Sequence, residues 1–358
     1  KDTIASLLNE NEKGYVFAQL KLPYESDLNS SELLRLAFFI INSVFNNEQD
    51  APLYAKTTAY KLLKSIDINS DEDIQHFSDV FGIEGIDPSV LYYFYLANIA
   101  FKAEKQISIR IDLKDFHPAA EETGNWKYRI LNKTLEAYIL LIRKHNGFSD
   151  VERALSIIEE LKKEQQQYEE TYLKQFSTGR EVNEAYTLLS IYHLSKALVE
   201  TANYLKQGYD YKERLDAVIR QHLDLAKKLV QGEPRLVSIF YRLEFGLNTM
   251  YKNAIWTQTK FNDKINLLCK RKAESGILEL LPSQREALSD NLLDVASNVT
   301  VLQMPTSAGK TLLAEFNIIV TKALRADAKI VYIVPSRALV NQVYFDLKSD
   351  LEPLDFAI

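Results

Sequence analysis

One stretch near the end of the 358-residue chain decides its fold, Gln303-Met-Pro-Thr-Ser-Ala-Gly-Lys-Thr-Leu312. A short apolar run, Val299-Thr-Val-Leu-Gln303, precedes this stretch, and the residues from Leu312 to Leu324 have helical periodicity. The order of strand, small-residue loop, Gly-Lys-Thr and helix is the context that a phosphate-binding loop requires. The sequence therefore predicts such a loop between a strand and a helix.

The chemistry of this loop is specific. Backbone N–H groups and the positive end of the following helix converge on phosphate oxygens. The Lys310 ammonium would reach the β- and γ-phosphates, and the Thr311 hydroxyl would bind Mg²⁺, which makes both residues catalytic candidates. The predicted nucleotide contacts in the loop are Pro305, Thr306, Ser307, Ala308, Gly309, Lys310 and Thr311.

A Gly-Lys-Ser/Thr tripeptide alone would be weak support, because it occurs by chance in roughly one of several chains of this length. The first glycine of the standard pattern is also absent, since position 304 is Met. Two flanking segments make the assignment specific, and each of them suggests a further contact.

The upstream segment is Leu281-Pro-Ser-Gln-Arg-Glu-Ala-Leu288, which places Gln284 at the start of a helix. Its amide can donate to and accept from one adenine edge, which suits ATP. The downstream segment, Lys329-Ile-Val-Tyr-Ile-Val-Pro-Ser-Arg-Ala-Leu-Val-Asn-Gln342, predicts a buried parallel strand and then a helix. The turn between them would present Ser336 and Arg337 at the carboxyl edge of the sheet, where ligands bind in open α/β folds.

In this order the three segments resemble the Q motif, motif I and motif Ia of superfamily 2 helicases, in the Ski2-like, DEAD/DEAH-box group. The resemblance covers residues 276–358 and implies the first half of a RecA-like α/β domain that uses ATP and Mg²⁺. It also implies that Ser336 and Arg337 contact the backbone of single-stranded or partly duplex DNA or RNA. The implied function is that of an ATP-dependent helicase or translocase.

A narrower resemblance concerns helicases of bacterial antiviral defence, such as the helicase subunit of Hachiman. It is carried by a large helical N-terminal extension together with Pro-Ser-Gln and Pro-Thr-Ser-Ala-Gly-Lys-Thr. This resemblance implies a separately encoded protein partner on the helical region, namely a nuclease effector.

The family pattern also shows which motifs this sequence lacks. The 358 residues contain no Asp-Glu-x-His or Asp-Glu-Ala-Asp, whose carboxylates would hold Mg²⁺ opposite Thr311, and no second RecA-like domain. We therefore expect the chain to be the N-terminal portion of a longer helicase. By itself it is not expected to hydrolyse ATP.

Residues 1–275 are predicted to form an all-helical domain, so the fold class is mostly α. No proline lies between Pro118 and Pro234, a feature of stacked helices, and Asp87-Pro88 is a helix start. The predicted amphipathic helices cover about 125–146, 149–176, 180–207, 210–231 and 234–256, with Gly147, Gly179, Gly208 and Gly232 as C-caps. Two strands are also predicted in this region, at Tyr15–Leu22 and Ile107–Leu113.

Composition excludes several classes of protein. With 46% hydrophobic and 26% charged residues the chain can fold, and it has no apolar run that could span a membrane. The single cysteine and the five scattered histidines give no support for a disulfide framework or a metal site. With no export signal visible, we expect a cytoplasmic protein.

Several interpretations stay open on the sequence alone. The tyrosines of the helical region are more often core residues than binding residues, and Glu315 is more often structural than catalytic. The basic run Lys270-Arg-Lys272 could contact nucleic-acid phosphates, although a solvated linker is the simpler interpretation. The alternative to a helicase is a helical interaction scaffold whose P-loop domain is truncated or degenerate.

Overall fold

The computed structural model describes residues 39–44, 51–118, 124–145, 147–176, 179–208, 215–230, 234–259, 262–294, 299–305 and 308–358, together with positions 9, 13 and 23. Helices dominate these residues, which confirms the predicted fold class. Over the same ranges no β-strand forms, and the recorded β pairing is a single bridge between Ala254 and Glu279.

The helices are labelled here in chain order. The first five are α1 Leu53–Lys64, α2 Asp71–Phe81, α3 Pro88–Lys102, α4 Gln106–Asp112 and α5 Trp126–Arg143. The next five are α6 Ser149–Leu173, α7 Arg180–Gln207, α8 Leu215–Leu229, α9 Pro234–Asn253 and α10 Ile255–Gln258. The last four are α11 Asp263–Glu274, α12 Pro282–Ser289, α13 Lys310–Leu324 and α14 Arg337–Leu351, followed by a 3₁₀ turn at Glu352–Leu354.

The chain divides into two compact units. The first contains residues 1–143, 153–198 and 221–246, and the second contains 144–152, 199–220 and 247–358. The predicted boundary after residue 275 lies inside the second unit, where the backbone N–H of Leu280 donates to Asn253. The division into a partner-binding region and a helicase region therefore stays a prediction about function.

Helix α3 is the centre of the first unit, and its aromatic sequence explains why. Its side chains are buried on nearly every face, as the run Leu91–Leu96 predicts. Tyr92 packs edge-on against Phe77 of α2, with ring centroids 5.7 Å apart, and Phe81 lies 4.7 Å from the ring of Tyr95. These tyrosines are core residues, as the sequence favours.

The long helices α5 to α9 match their predicted positions. Gly208 directly follows α7 and has a left-handed backbone conformation (φ 64°). A Cβ at this position would also lie 2.5 Å from the Trp256 ring, so both the backbone conformation and the lack of space require glycine here. The end of α5 differs from the prediction, because Lys144 takes the left-handed conformation (φ 47°) three residues before Gly147. Gly232 and the strand predicted at Tyr15–Leu22 lie outside the described residues.

The strand predicted at Ile107–Leu113 is wrong, since most of this segment forms helix α4. The alternating isoleucines suggested a single buried face. In the helix Ile109 is fully buried, while Ile107 and Ile111 are 58% and 62% exposed. Residues four apart share one helix face and the residue between them lies opposite, so this alternation is also compatible with a helix.

The two strands predicted beside the phosphate loop are also not formed. Residues 299–303 and 329–335 are neither helical nor paired in a ladder, and Val331 and Ile333 are 80% and 85% exposed. A strand is stabilised by hydrogen bonds to a neighbouring strand, and the described residues provide no such pairing. The apolar pattern therefore marks two segments that are suited to a sheet, although they form no sheet among the described residues.

Candidate nucleotide-binding site

Helix α13 begins directly after the Gly-Lys-Thr glycine. Gly309 is the N-cap residue in the left-handed conformation (φ 72°, ψ 37°). No side-chain cap is recorded at this end, so the first N–H groups of α13 keep their capacity to bind an anion. Of the predicted loop, the described backbone shows a left-handed glycine directly before a helix.

Lys310 is the first residue of α13 and its side chain is exposed. Within the described ranges, no carboxylate pairs with its ammonium group, which is therefore free to bind a phosphate. Thr311 follows and is half-buried, whereas Pro305 is exposed and Ala308 is buried. Thr306 and Ser307 lie outside the described residues.

Gln284 fixes the end of the loop. It is the third residue of α12 and is buried, and its Oε1 accepts a hydrogen bond from the Leu281 N–H at 2.8 Å. Its Nε2 donates to the Gly309 carbonyl oxygen at 3.0 Å. A Cβ at position 309 would lie 2.2 Å from this Nε2. Gln284 therefore connects the start of α12 to the phosphate loop.

The sequence predicts an adenine contact for Gln284 and does not predict this connection to the loop. Of the two hydrogen bonds, the one to Leu281 had a signal in the sequence. A glutamine at the third position of a helix with proline at its first position fits a capping box, in which the side chain returns to the N-cap N–H. The bond to Gly309 had no sequence signal, because it joins residues 25 positions apart.

Ser336 and Arg337 lie at the start of α14, where the sequence placed them. Ser336 is the N-cap residue in an extended conformation, its hydroxyl caps no N–H group, and both side chains are exposed. An arginine at the positive end of a helix is suited to a backbone phosphate. No contact recorded among the described residues joins this pair to the phosphate loop.

A largely buried charge cluster joins α11 to α13 and to the far end of α14. The Lys272 ammonium of α11 lies 3.0 Å from Glu315 Oε2 of α13 and 2.6 Å from Asp350 Oδ2 of α14. Burial raises the pKa of Glu315 to about 7, despite the opposing effect of Lys272. The solvated-linker interpretation of Lys270-Arg-Lys272 is therefore wrong for Lys272, because the run belongs to α11 and this lysine points into the unit.

Two of the histidines come together in the first unit, although the sequence shows them as scattered. His193 of α7 and His222 of α8 have their Nδ1 atoms 3.0 Å apart. Burial lowers the pKa of His193, as do the neighbouring charges of His222 and Lys196. The described part of the chain contains no group of three or more side chains that could hold a metal ion.

A cavity of about 610 Å³ runs along α13 and includes Lys310 at one end. Much of its lining is apolar and extends to Leu324 at the far end of the helix, with Leu302 and Tyr332 on other sides. A triphosphate is bound at the N-terminus of a helix and not along its length. The cavity as a whole therefore does not mark a phosphate site, and only its end at Lys310 coincides with the predicted one.

Helix composition also bears on membranes. In the described ranges, none of the helices has both the length and the apolar character that crossing a bilayer requires.

Comparisons with known proteins agree with the motif order. Residues 281–358 match the DEAD/DEAH box helicase family. Hachiman protein HamB of Bacillus cereus is 29% identical over 172 residues, covering 46% of this chain and 15% of HamB. ATP-dependent DNA helicase Hel308 of Thermococcus kodakarensis is 44% identical over 75 residues, or 21% of this chain and 6% of that protein. Hel308 of Pyrococcus horikoshii is 34% identical over 101 residues, covering 28% and 13% respectively.

These matches confirm the resemblance to superfamily 2 helicases and carry the assignment of residues 281–358 to a helicase-like domain. The aligned part of the chain spans 15% or less of each of these relatives. The similarity to HamB covers 46% of the chain, which exceeds the share formed by residues 276–358, so it extends into the helical region.

Proposed function

We propose that this chain is part of an ATP-dependent helicase or translocase that acts on DNA or RNA. The observation that carries the proposal is the start of α13. There an exposed Lys310, with no carboxylate partner among the described residues, follows a left-handed Gly309 that provides no side-chain cap. This arrangement combines the positive helix end with an exposed ammonium group, which together suit a triphosphate.

Each residue of the site has a proposed role. Lys310 would bind the β- and γ-phosphates and stabilise the charge that develops during phosphoryl transfer. The Thr311 hydroxyl would be a ligand of Mg²⁺, which supplies further charge neutralisation when bound. Gln284 would hold Gly309 in place, and its amide would also select adenine.

Nucleic acid is the proposed substrate of the helicase activity. The exposed start of α14 offers Ser336 and Arg337 to the backbone of a single strand, as motif Ia does in the resemblance stated above. Contacts of this type position the strand and carry no base specificity. They are compatible with DNA and with RNA.

The helical region has a different proposed role. It has no catalytic constellation in the described ranges, and the similarity to HamB reaches into it. We propose that it binds a separately encoded protein, a nuclease effector, in a Hachiman-type antiviral defence system. Exposed tyrosines such as Tyr186 and Tyr241 offer the large aromatic contact area that is typical of interfaces.

The helicase proposal is tested by measuring ATP hydrolysis of the full-length gene product with and without a single-stranded oligonucleotide. We expect hydrolysis that the strand stimulates, with DNA and RNA strands compared in parallel. A full-length protein that hydrolyses no ATP under either condition would favour the scaffold with a degenerate P-loop.

The partner proposal is tested by co-expression of the full-length protein with the products of neighbouring genes. A stable complex with a nuclease is the expected result. If the protein captures no partner and its helical region instead binds nucleic acid with steep salt dependence, the partner role is wrong.

A further inference from the structure

Three helices of the second unit meet at one largely buried lysine side chain. Lys272 comes from α11, which ends seven residues before the helicase match begins. Its partners are Glu315, five residues into the phosphate-loop helix α13, and Asp350, near the end of α14. The ammonium therefore touches both helices that begin at the predicted phosphate and strand contacts.

The burial of this cluster makes the contacts specific. The side chains of Lys272, Glu315 and Asp350 are 13%, 1% and 21% exposed. A buried carboxylate without a partner is costly, and removing one member of such a cluster leaves an uncompensated charge. The position of α13 relative to α14 is consequently tied to the position of Lys272.

Neighbouring residues of α11 attach the same helix to the end of α14. Arg271 donates to the Ser349 carbonyl oxygen at 3.0 Å, and Lys264 donates to the Leu354 carbonyl oxygen at 2.5 Å. The Lys264 ammonium also lies over the Phe356 ring, 4.6 Å from its centroid. Contacts along much of α11 thus hold the far end of the helix that starts with Arg337.

We propose that Lys272 is a positioning residue that couples nucleotide binding at the start of α13 to strand binding at the start of α14. The inference rests on the proposed function of both sites. Lys272 touches neither ligand in this assignment. It transmits a displacement of the phosphate-loop helix to the strand-binding helix, because its ammonium group binds a carboxylate on each.

The test measures a coupling factor in the full-length protein. The dissociation constant of a fluorescent single-stranded 20-nucleotide oligomer is measured in the absence and in the presence of a non-hydrolysable ATP analogue. The coupling factor is the first constant divided by the second. Coupling between two sites is typically about 5–150-fold. We expect Lys272→Met to bring the factor to within about twofold of unity, and Lys272→Arg to keep most of the coupling, because arginine can still bind both carboxylates.

Two further variants separate coupling from folding. Lys272→Met/Glu315→Gln removes two of the three charges of the cluster at similar volume and leaves only the more exposed carboxylate of Asp350, so it is expected to fold while remaining uncoupled. Lys348→Met removes an exposed lysine of α14 and should keep the full factor. Circular dichroism and thermal melting show whether each variant is folded when its coupling factor is compared with that of the wild type.

The outcomes distinguish the two proposals. A wild-type protein that binds both ligands while Lys272→Met retains full coupling overturns the role of Lys272 and leaves the helicase proposal intact. Recovery of coupling in the double variant also overturns it, because Lys272 would then act only by neutralising Glu315. A wild-type protein that binds neither the ATP analogue nor the strand overturns the proposed function itself.

Discussion

The starts of helices α3 and α13 use opposite solutions to the same problem. At α3 the Asp87 carboxylate accepts the N–H groups of Ser89 and Val90, and Pro88 needs no partner for its nitrogen. At α13 the N-cap is Gly309, which has no side chain to offer. One helix start satisfies its own donors, whereas the other leaves them available to a ligand.

The difference between these two helix starts is visible without reference to a motif. Capping by a carboxylate stabilises a helix and blocks its anion site at the same time. A left-handed glycine followed by an exposed lysine gives up that stabilisation and keeps the site open. The contrast predicts that changes at α13 affect nucleotide chemistry most, while changes at α3 affect stability.

The largest effect is expected for Lys310→Ala in the full-length protein. The variant loses the ammonium that stabilises the transferred phosphoryl group, so ATP turnover should fall by about 10²–10³-fold or more. Steady-state hydrolysis measures this loss, and Lys348→Ala, an exposed lysine of α14, is the matched control. Turnover near the wild-type rate in Lys310→Ala would remove the active-site assignment and with it the contrast between the two helix starts.

Replacement of Gln284 should have the next largest effect. Gln284→Ala removes two part-buried hydrogen bonds, so the Leu281 N–H and the Gly309 carbonyl oxygen both lose their partner. We expect ATP affinity to fall by about tenfold, since each lost buried hydrogen bond costs about 1–3 kcal/mol. Binding of fluorescent ATP and GTP analogues measures affinity and base preference together.

The two proposed roles of Gln284 predict different patterns. If it selects adenine, the preference for ATP over GTP falls in Gln284→Ala, which is our expectation. An equal loss for both nucleotides would restrict Gln284 to support of the loop. Glu286→Ala, an exposed change on the same helix, controls for effects on α12 itself.

The parts of this structure that the sequence could predict are those determined by contiguous residues. Helix starts such as Asp87-Pro88, and the Gly-Lys-Thr turn before α13, depend on neighbours along the chain. The isoleucines of α4 show the limit of this approach, because three alternating apolar residues fit two turns of helix as well as a strand. Strand pairing is different, because residues 299–303 could pair only with a segment that is distant along the chain. The periodicity of a short segment does not show whether such a partner is in place.

The candidate site divides in the same way. Lys310 and Gly309 were identified from adjacent residues, and the structure places them at the start of α13, where their role in phosphate binding stays a prediction. The Lys272 cluster was not identified, since its members lie 43 and 78 positions apart along the chain. A basic run in isolation resembles a solvated surface, and only packing shows that the side chain of one of its lysines is largely buried.

Glu315 provides a smaller test, through the pH dependence of stability. Its pKa is about 7 in the folded protein and near 4.5 when unperturbed, because burial opposes its ionisation. Between these values the folded chain keeps a proton that the unfolded chain has lost, so stability decreases as the pH rises through this window. Between pH 5 and pH 8 the free energy of unfolding should therefore decrease in the wild type. In Glu315→Gln, which cannot ionise, we expect this decrease to be smaller by about 2 kcal/mol.

Urea unfolding at several pH values checks this expectation. Glu274→Gln is the matched control, because Glu274 is exposed on α11, and it should follow the wild-type profile. A wild-type profile in Glu315→Gln would show that Glu315 is ionised throughout and that Lys272 fully compensates its burial.

The smallest effect is expected at the start of α3. Asp87→Ala removes the acceptor for two N–H groups and should lower the free energy of unfolding by about 1 kcal/mol, the usual cost of a lost N-cap. Asp87→Asn keeps an acceptor oxygen and should lose less than half of this. Because the Asp87 carboxylate caps a helix that has no proposed ligand, ATP affinity should be unchanged in both variants. Urea unfolding measures the stability of each variant, and binding of a fluorescent ATP analogue measures its affinity. A loss of ATP affinity in Asp87→Ala, with Asp87→Asn unaffected, would mean that the two kinds of helix start are not functionally separate.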